Sequence, residues 1–249
     1  MRCLVLGHSG TAGFGLTSVD QTWPALLARI LADSGGEEWP VSAAPLFPVG
    51  DRAIEYALAR TADIQPDLVV LSLNAFPCVV PVVAASVRHR FGRRAERLYT
   101  RVERRLEARA RSREDEETTN KSAQRWARRL LGTRTMTDVE EVGRVYSEIL
   151  RGLARLEGIQ VAVLAEALFG ENIRRRLPGL TVEVRRLHAL VRPTSDGHRF
   201  LWCDATEWLA PDAGEPHWHR DGVHLSARGN ARYAEMLAVC LGGKLRAGT

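Results

Sequence analysis

A serine near one end of the chain and an aspartate–histidine pair near the other could together perform nucleophilic chemistry. Ser9 lies in the stretch Gly-His-Ser-Gly of residues 7–10, directly after the apolar run of residues 4–6. Asp221 and His224 are three residues apart and precede a helical pattern. A serine hydroxyl attacks effectively when an imidazole takes its proton and a carboxylate fixes the tautomer of that imidazole. These residue types therefore predict a Ser–His–Asp site.

Strands and helices alternate along the predicted chain. Apolar runs predict strands after the N-terminus and over residues 41–47, 68–73, 159–164 and 200–203. Amphipathic patterns predict helices over residues 23–32, 51–62 (with Asp51 as its cap), 139–156 and 227–241, and two short helices within 171–190. This order predicts a three-layer α/β/α sandwich, flavodoxin-like, around a five-stranded parallel sheet. Segments that follow its strands meet at one edge, where a site could assemble.

The same residues resemble the SGNH/GDSL hydrolase family. Its signature is Gly-Asp-Ser after the first strand, a glycine after the second, Gly-x-Asn-Asp after the third and Asp-x-x-His near the C-terminus. Residues 7–9, Gly50, residues 72–75 and residues 221–224 stand at these four places. The resemblance covers all of the chain except a central insert. It implies a serine esterase-type hydrolase that cleaves an acyl ester or thioester through an acyl-enzyme, without a cofactor.

The resemblance also implies a role for each matching residue. Ser9 would be the nucleophile, His224 the general base and Asp221 the carboxylate that orients the imidazole. The backbone N–H groups of Ser9 and Gly50, with the side-chain amide of Asn74, would form the oxyanion hole. The sequence leaves hydrolysis and transfer to another acceptor open. The alternatives are an acyltransferase or carrier-linked thioesterase of the same fold, or a non-catalytic binding relative.

Three positions depart from the family signature. His8 replaces the aspartate of the first block, and this replacement could change the geometry of the nucleophile turn. Ser72 and Ala75 replace the glycine and aspartate of the block that contains Asn74. These replacements could change how firmly the Asn74 amide is held. His8 could hydrogen-bond the turn or adjust the acidity of the triad, and the residues alone do not decide between these roles.

Histidines cluster near the C-terminal block and permit a second interpretation. His217, His219, Asp221 and His224 could bind a metal, with His8 or His198 completing the set. The triad explains Asp221 and His224 better, so no metal site is predicted. The candidates for lining the site are His8, His217 and His219.

The positive charge of the chain is concentrated in an insert of residues 86–134. Residues 88–134 contain 16 basic and seven acidic residues, a net charge of +9, whereas the rest of the chain carries 19 and 23, a net charge of −4. Leu98, Val102, Leu106 and Ala110 recur every four residues, and a second helical pattern covers residues 122–131. We expect one domain over residues 1–249, with an Arg-rich helical hairpin inserted as a lid.

The arginine-rich surface is either a solvated face or a docking site for an anionic group, an acidic carrier protein or a lipid surface. Its aromatic residues are only Phe91, Tyr99 and Trp126, and it has no recognised nucleic-acid-binding motif, which argues against a nucleic-acid partner.

Cysteine usage and the N-terminus bear on the compartment. The four cysteines, Cys3, Cys78, Cys203 and Cys240, are scattered and show no paired spacing, so we expect neither disulfides nor a zinc cage. The first strand begins within two residues of Met1, which leaves no room for a signal peptide. No apolar run approaches the length of a bilayer span. These observations predict a cytoplasmic protein.

Overall fold

The structure is a computed structural model that describes residues 1–8, 11, 13, 16–35, 39–111, 131–198, 200–206, 208–209, 217–219 and 222–245. For residues 34–35, 103–104, 106–111 and 243–245 it describes the backbone. Ser9 and Asp221, the predicted nucleophile and its distant carboxylate, lie outside the described residues. The chain divides into two compact units, one formed by Met1–Ala75 and Val139–Thr249 and the other by Phe76–Asp138.

The first unit is built on five parallel strands. They are β1 (Cys3–Gly7), β2 (Val41–Pro45), β3 (Leu68–Leu73), β4 (Gln160–Ala165) and β5 (Leu201–Asp204). Their order in the sheet is β2-β1-β3-β4-β5, and each neighbouring pair is parallel. Every residue of β1 and β3 is buried, as expected of central strands covered on both faces. The predicted flavodoxin-like sandwich is confirmed.

Helices follow the strands in the predicted alternation. They are α1 (Trp23–Gly35), α2 (Asp51–Ile64), α3 (Phe76–Val79), α4 (Val83–Arg111), α5 (Val139–Leu153), α6 (Glu171–Arg176), α7 (Leu180–Gly197) and α8 (Ala227–Leu245). Helices α1 and α8 pack together over one face of the sheet, whereas α5 packs between α2 and α7. The two helices predicted within residues 171–190 are confirmed as α6 and α7, although α7 is longer than predicted and ends at Gly197.

The core on the α1–α8 side is formed by bulky side chains on a regular helical spacing. Trp23, Leu27 and Leu31 of α1 lie against Tyr233 and Leu237 of α8 and against the sheet. The spacings of four residues place them on one face of each helix. Trp23 and Tyr233 meet edge to face with ring centroids 5.8 Å apart, a favourable aromatic geometry.

Two local predictions were wrong. Asp51 does not cap α2: the cap is Gly50, which makes no side-chain capping bond, and Asp51 is the first helical residue. Cys203 and Cys240 form a disulfide, with Cα atoms 6.0 Å apart, although no disulfide was expected. The spacing of the cysteines does not predict this pair, because 37 residues separate them. The packing of α8 against β5 brings them together. The prediction of a cytoplasmic protein rested partly on unpaired cysteines and loses that support.

The second unit contains the basic insert. Its helix α4 confirms the predicted helical pattern around Leu98 and Val102, and it bends at Gly92, whose φ is 81°. The ends of the unit meet in an antiparallel bridge between Val82 and Arg134. The second arm predicted over residues 122–131 falls almost entirely outside the described residues. The predicted role of the insert as a lid stays a prediction.

No helix in the described part of the chain is both long enough and apolar enough to cross a bilayer.

Candidate active site

The predicted site residues follow strands that end at the same edge of the sheet. Because all five strands are parallel, the segments after β1, β2 and β3 leave the sheet on one side. Ser9 follows β1 in the chain, and Gly50 and Asn74 follow β2 and β3. This common edge is the location that the sequence predicts for the site.

The turn after β1 is tight and needs a glycine at its start. Both the backbone N–H and the hydroxyl of Thr11 donate to the carbonyl oxygen of His8, at 3.0 and 2.6 Å. A Cβ atom at Gly7 would overlap the methyl group of Thr11. The chain therefore folds back directly after the strand, and the backbone of His8 is held from the far side of the turn.

Gly50 requires glycine for its backbone conformation. Its φ is +74°, and a Cβ there would meet no atom within 4 Å, so the constraint is torsional and not steric crowding. A hydrogen bond from Arg144, and to a smaller extent a backbone hydrogen bond from Gly50, hold the pKa of the Glu141 carboxyl below its usual value. The carboxylate of Glu141 therefore competes for the amide that the sequence assigns to the oxyanion hole. That role of Gly50 stays a prediction.

Asn74 is buried, and its backbone is held by a tyrosine from α5. The Asn74 N–H donates to the hydroxyl oxygen of Tyr146 at 2.7 Å, and this hydroxyl donates to the carbonyl oxygen of Ser72 at 3.1 Å. The Tyr146 side chain is fully buried, so these bonds are shielded from water. The turn that carries the predicted oxyanion donor is thus fixed despite the altered flanking residues.

A carboxylate that was not predicted from the sequence lies beside this turn. Glu166 directly follows β4, and its Oε1 lies 2.8 Å from Nε2 of His8. The hydroxyl of Ser72 donates to the same oxygen. Burial alone would lower the pKa of His8, but the charge of Glu166 and its hydrogen bond to the imidazole raise that pKa above its usual value. The sequence signal was available, because Glu166 is an acidic residue directly after a buried parallel strand.

The segment around His224 is a short, hydrogen-bonded loop. The His219 N–H donates to the carbonyl oxygen of His224 at 2.8 Å, and the Ser226 N–H donates to that of His217 at 2.9 Å. Gly222, with a φ of +72°, forms the bend, and its carbonyl oxygen accepts from the N–H of Gly170 at 2.8 Å. The loop is therefore tied to the segment that follows β4.

A buried asparagine joins this loop to the helix that follows the serine turn. The side-chain oxygen of Asn230 accepts from the N–H of Trp23 at 2.9 Å. Its amide nitrogen donates to the carbonyl oxygens of Leu225 and Ser226, at 3.2 and 3.0 Å. Asn230 thus links the start of α1 to the residues directly after His224. Neither role could be assigned from the sequence, because Trp23 is 207 residues from Asn230 and Asn74 is 72 residues from Tyr146.

The three histidines predicted to line the site differ in exposure: His217 is buried, His219 is exposed and His8 is intermediate. The predicted general base, His224, is also intermediate. Among the described residues, no group of three or more histidine, cysteine, aspartate or glutamate side chains could hold a metal ion. The distance between Ser9 and His224 involves a residue outside the described ranges, so the triad stays a prediction.

Sequence comparison decides the family. A model of the GDSL-like lipase/acylhydrolase family matches residues 5–232, from the first strand into the last helix. The chain belongs to this family. The resemblance read from the motifs is thereby confirmed, and the family makes small-molecule esters the general substrate class. No curated protein matches the sequence of this GDSL-like hydrolase.

Solved structures share the fold of this GDSL-like hydrolase at low sequence identity. The lipase/acylhydrolase from Enterococcus faecalis is 16% identical, with a TM-score of 0.60 and coverage of 98% of this chain and 97% of its own. TesA is 17% identical, with a TM-score of 0.58 and coverage of 97% and 98%. Est24, a carbohydrate acetylesterase from Sinorhizobium meliloti, is 14% identical, with a TM-score of 0.57 and coverage of 97% and 98%. At these identities the likeness establishes the fold.

Proposed function

We propose that the protein is a serine hydrolase that cleaves an acyl ester or thioester through a covalent acyl-enzyme. Ser9 attacks the carbonyl carbon while His224 accepts its proton, and Asp221 orients and stabilises the imidazolium. His224 then returns the proton to the leaving group, and an activated water releases the acid. The family match carries this proposal, because the matched range of residues 5–232 includes the nucleophile turn and the His224 loop.

The oxyanion of the tetrahedral intermediate needs fixed donors. We assign this role to the backbone N–H of Ser9 and to Asn74, with Gly50 as a third donor. The support for Asn74 is the pair of buried hydrogen bonds at the Tyr146 hydroxyl, one accepted from the Asn74 N–H and one donated to the Ser72 carbonyl oxygen. Preorganised donors cost no reorganisation at the moment of reaction, and loss of one typically reduces the rate by about 10²–10³-fold.

Substitution of the nucleophile tests the mechanism. Ser9→Ala should abolish hydrolysis of p-nitrophenyl acetate and labelling by a fluorophosphonate probe, while the far-ultraviolet circular dichroism stays unchanged. Acetate is a reasonable first acyl group, because Est24 is a carbohydrate acetylesterase. Wild-type turnover in Ser9→Ala would exclude this mechanism, and a wild-type protein that the probe does not label would favour the non-catalytic alternative.

Transfer to an acceptor other than water is the second candidate, and the basic insert is the feature that favours it. Helix α4 exposes Arg93, Arg94, Arg97, Arg101 and Arg105 in the described part of its surface. We propose that this surface binds an acidic carrier protein or another anionic group. Turnover of a thioester on an acidic carrier should then fall steeply with added salt, because salt screens exposed charges, whereas turnover of a small neutral thioester should not. Equal salt dependence of the two substrates would argue against a carrier.

The compartment stays a proposal as well. The predicted cytoplasmic location is opposed by the disulfide between Cys203 and Cys240, which would persist more readily in an oxidising environment. Cell fractionation followed by thiol alkylation would measure both the location and the state of these cysteines.

A further inference from the structure

Two of the departures from the family signature contact the same carboxylate. His8 stands where the signature has aspartate, and Ser72 stands where it has glycine. Both side chains bind Oε1 of Glu166, His8 through Nε2 at 2.8 Å and Ser72 through its hydroxyl. The three residues come from the segments of β1, β3 and β4, which are adjacent in the sheet. The two substituted residues therefore belong to one side-chain cluster, and Glu166 is its centre.

His8 is held at both its side chain and its backbone. Its side chain is bound to Glu166, and its carbonyl oxygen accepts from the N–H and hydroxyl of Thr11. The side chains of His8 and Glu166 are only 21% and 17% exposed, so the ion pair is weakly screened by solvent. Because His8 directly precedes Ser9, a restrained His8 limits the directions in which the chain can continue to the predicted nucleophile.

Two described side chains that interact with Glu166, His188 and Tyr233, are neutral near pH 7. His188 on α7 and Tyr233 on α8 both interact electrostatically with Glu166 and with Asp204 at the end of β5. Burial lowers the pKa of His188 and raises the pKa of Tyr233, so neither is charged near pH 7. Of His8, His188 and Tyr233, His8 is therefore the residue that can place a positive charge beside the Glu166 carboxylate.

We propose that Glu166 is a positioning residue for the nucleophile: with His8 and Ser72 it forms a cross-strand brace that takes over the function of the missing first-block aspartate. The proposal rests on the proposed role of Ser9. The brace works in the ionised state, with a protonated His8 and a charged Glu166. While Glu166 is ionised, the contribution of the ion pair is complete below the ordinary histidine pKa of about 6.5 and is lost as the pH rises through the raised pKa of His8.

The first test measures His8 itself. In the wild-type protein the imidazole of His8, followed by NMR, should titrate above about 6.5. In Glu166→Gln, burial acts without the carboxylate charge, so the midpoint should move below that value. Glu171→Gln is the matched control, since Glu171 is 73% exposed on α6 and should leave the titration unchanged. Identical His8 titrations in the wild type and Glu166→Gln would overturn the brace.

The second test measures the effect on Ser9. Glu166→Gln should reduce kcat and the rate of fluorophosphonate labelling by about tenfold or more, with little change in KM, because misplacement of a reacting group lowers the rate of the chemical step. The kcat of the wild type should decline at alkaline pH where His8 loses its proton, and this decline should be absent in Glu166→Gln. A structural role without positioning would lower the stability of the variant but leave this pH profile in place.

A charge-rescue pair separates failure of the brace from loss of folding. His8→Asp places two carboxylates together and should be less active than Glu166→Gln. The double variant His8→Asp/Glu166→Gln removes that repulsion and restores the aspartate of the signature, so its kcat should exceed that of His8→Asp. Absence of rescue overturns the proposal. If the wild type itself is not labelled at Ser9, the proposed hydrolase function fails and the positioning role fails with it, whereas labelling that is equal in the wild type and Glu166→Gln refutes only the brace.

Discussion

Replacement of Tyr146 by phenylalanine isolates the contribution of one hydroxyl to the turn that carries Asn74. The hydroxyl makes two bonds, from the Asn74 N–H at 2.7 Å and to the Ser72 carbonyl at 3.1 Å, and the side chain is fully buried. A buried donor that loses its partner costs about 1–3 kcal/mol. A carbonyl oxygen has a second lone pair and loses less. We therefore expect Tyr146→Phe to lower the free energy of unfolding by about 2–3 kcal/mol.

The assay is urea unfolding with tryptophan fluorescence, together with hydrolysis of p-nitrophenyl acetate. Tyr56→Phe is the matched control: Tyr56 is 39% exposed on α2, and surface substitutions usually change stability by less than about 0.5 kcal/mol. In Tyr146→Phe, kcat should also fall, by less than the roughly 10²–10³-fold that complete loss of an oxyanion donor costs. A Tyr146→Phe variant as stable and as active as the control would refute the idea that this hydroxyl organises the turn.

Three further changes test the His224 loop and its supports. Gly222→Ala should destabilise the fold by about 1–3 kcal/mol and lower kcat, because the φ of Gly222 is positive and a Cβ there would overlap the side chain of Asn172. Urea unfolding identical to that of the wild type would contradict this prediction. Asn230→Asp keeps the acceptor for the start of α1 but loses two donated bonds, so kcat and stability should both drop; a neutral result would show that these bonds do not hold the loop. Cys240→Ser removes the disulfide to Cys203, which closes a loop of 37 residues, and should lower the free energy of unfolding by about 4 kcal/mol. The melting temperature of this variant should no longer respond to dithiothreitol. A wild-type melting temperature in the absence of reductant would refute this prediction.

The fold could be predicted because the strands are marked by unbroken apolar runs. Residues 68–73 were predicted as a strand, and β3 spans Leu68–Leu73 with every residue buried. Segments with a weaker apolar pattern were predicted with less accurate ends: the strand predicted over residues 41–47 ends at Pro45, two residues early. The helix predicted over 139–156 ends at Leu153, three residues early. Burial periodicity thus fixes the type of an element more firmly than its boundary.

The supports of the candidate site could not be predicted, because they depend on contacts between distant parts of the chain. Asn230 and Trp23 are 207 residues apart, and Asn74 and Tyr146 are 72 apart. Tyr146 fits the apolar face of α5 as well as any other large side chain would, so nothing in the pattern reveals that its hydroxyl is used. The disulfide was missed for the same reason, since two cysteines without a motif become partners only through tertiary packing.

A motif compared position by position treats each departure as an independent loss. By that measure, a chain that lacks the first-block aspartate and the third-block glycine is weakened twice. The structure relates the two losses, because the histidine and the serine that replace them both bind Glu166, a residue that belongs to no block of the signature. A glycine at position 72 would supply no hydroxyl, and an aspartate at position 8 would face a carboxylate of its own sign. The residues at positions 8, 72 and 166 therefore constrain one another, and each should tolerate substitution less well alone than together with its partners.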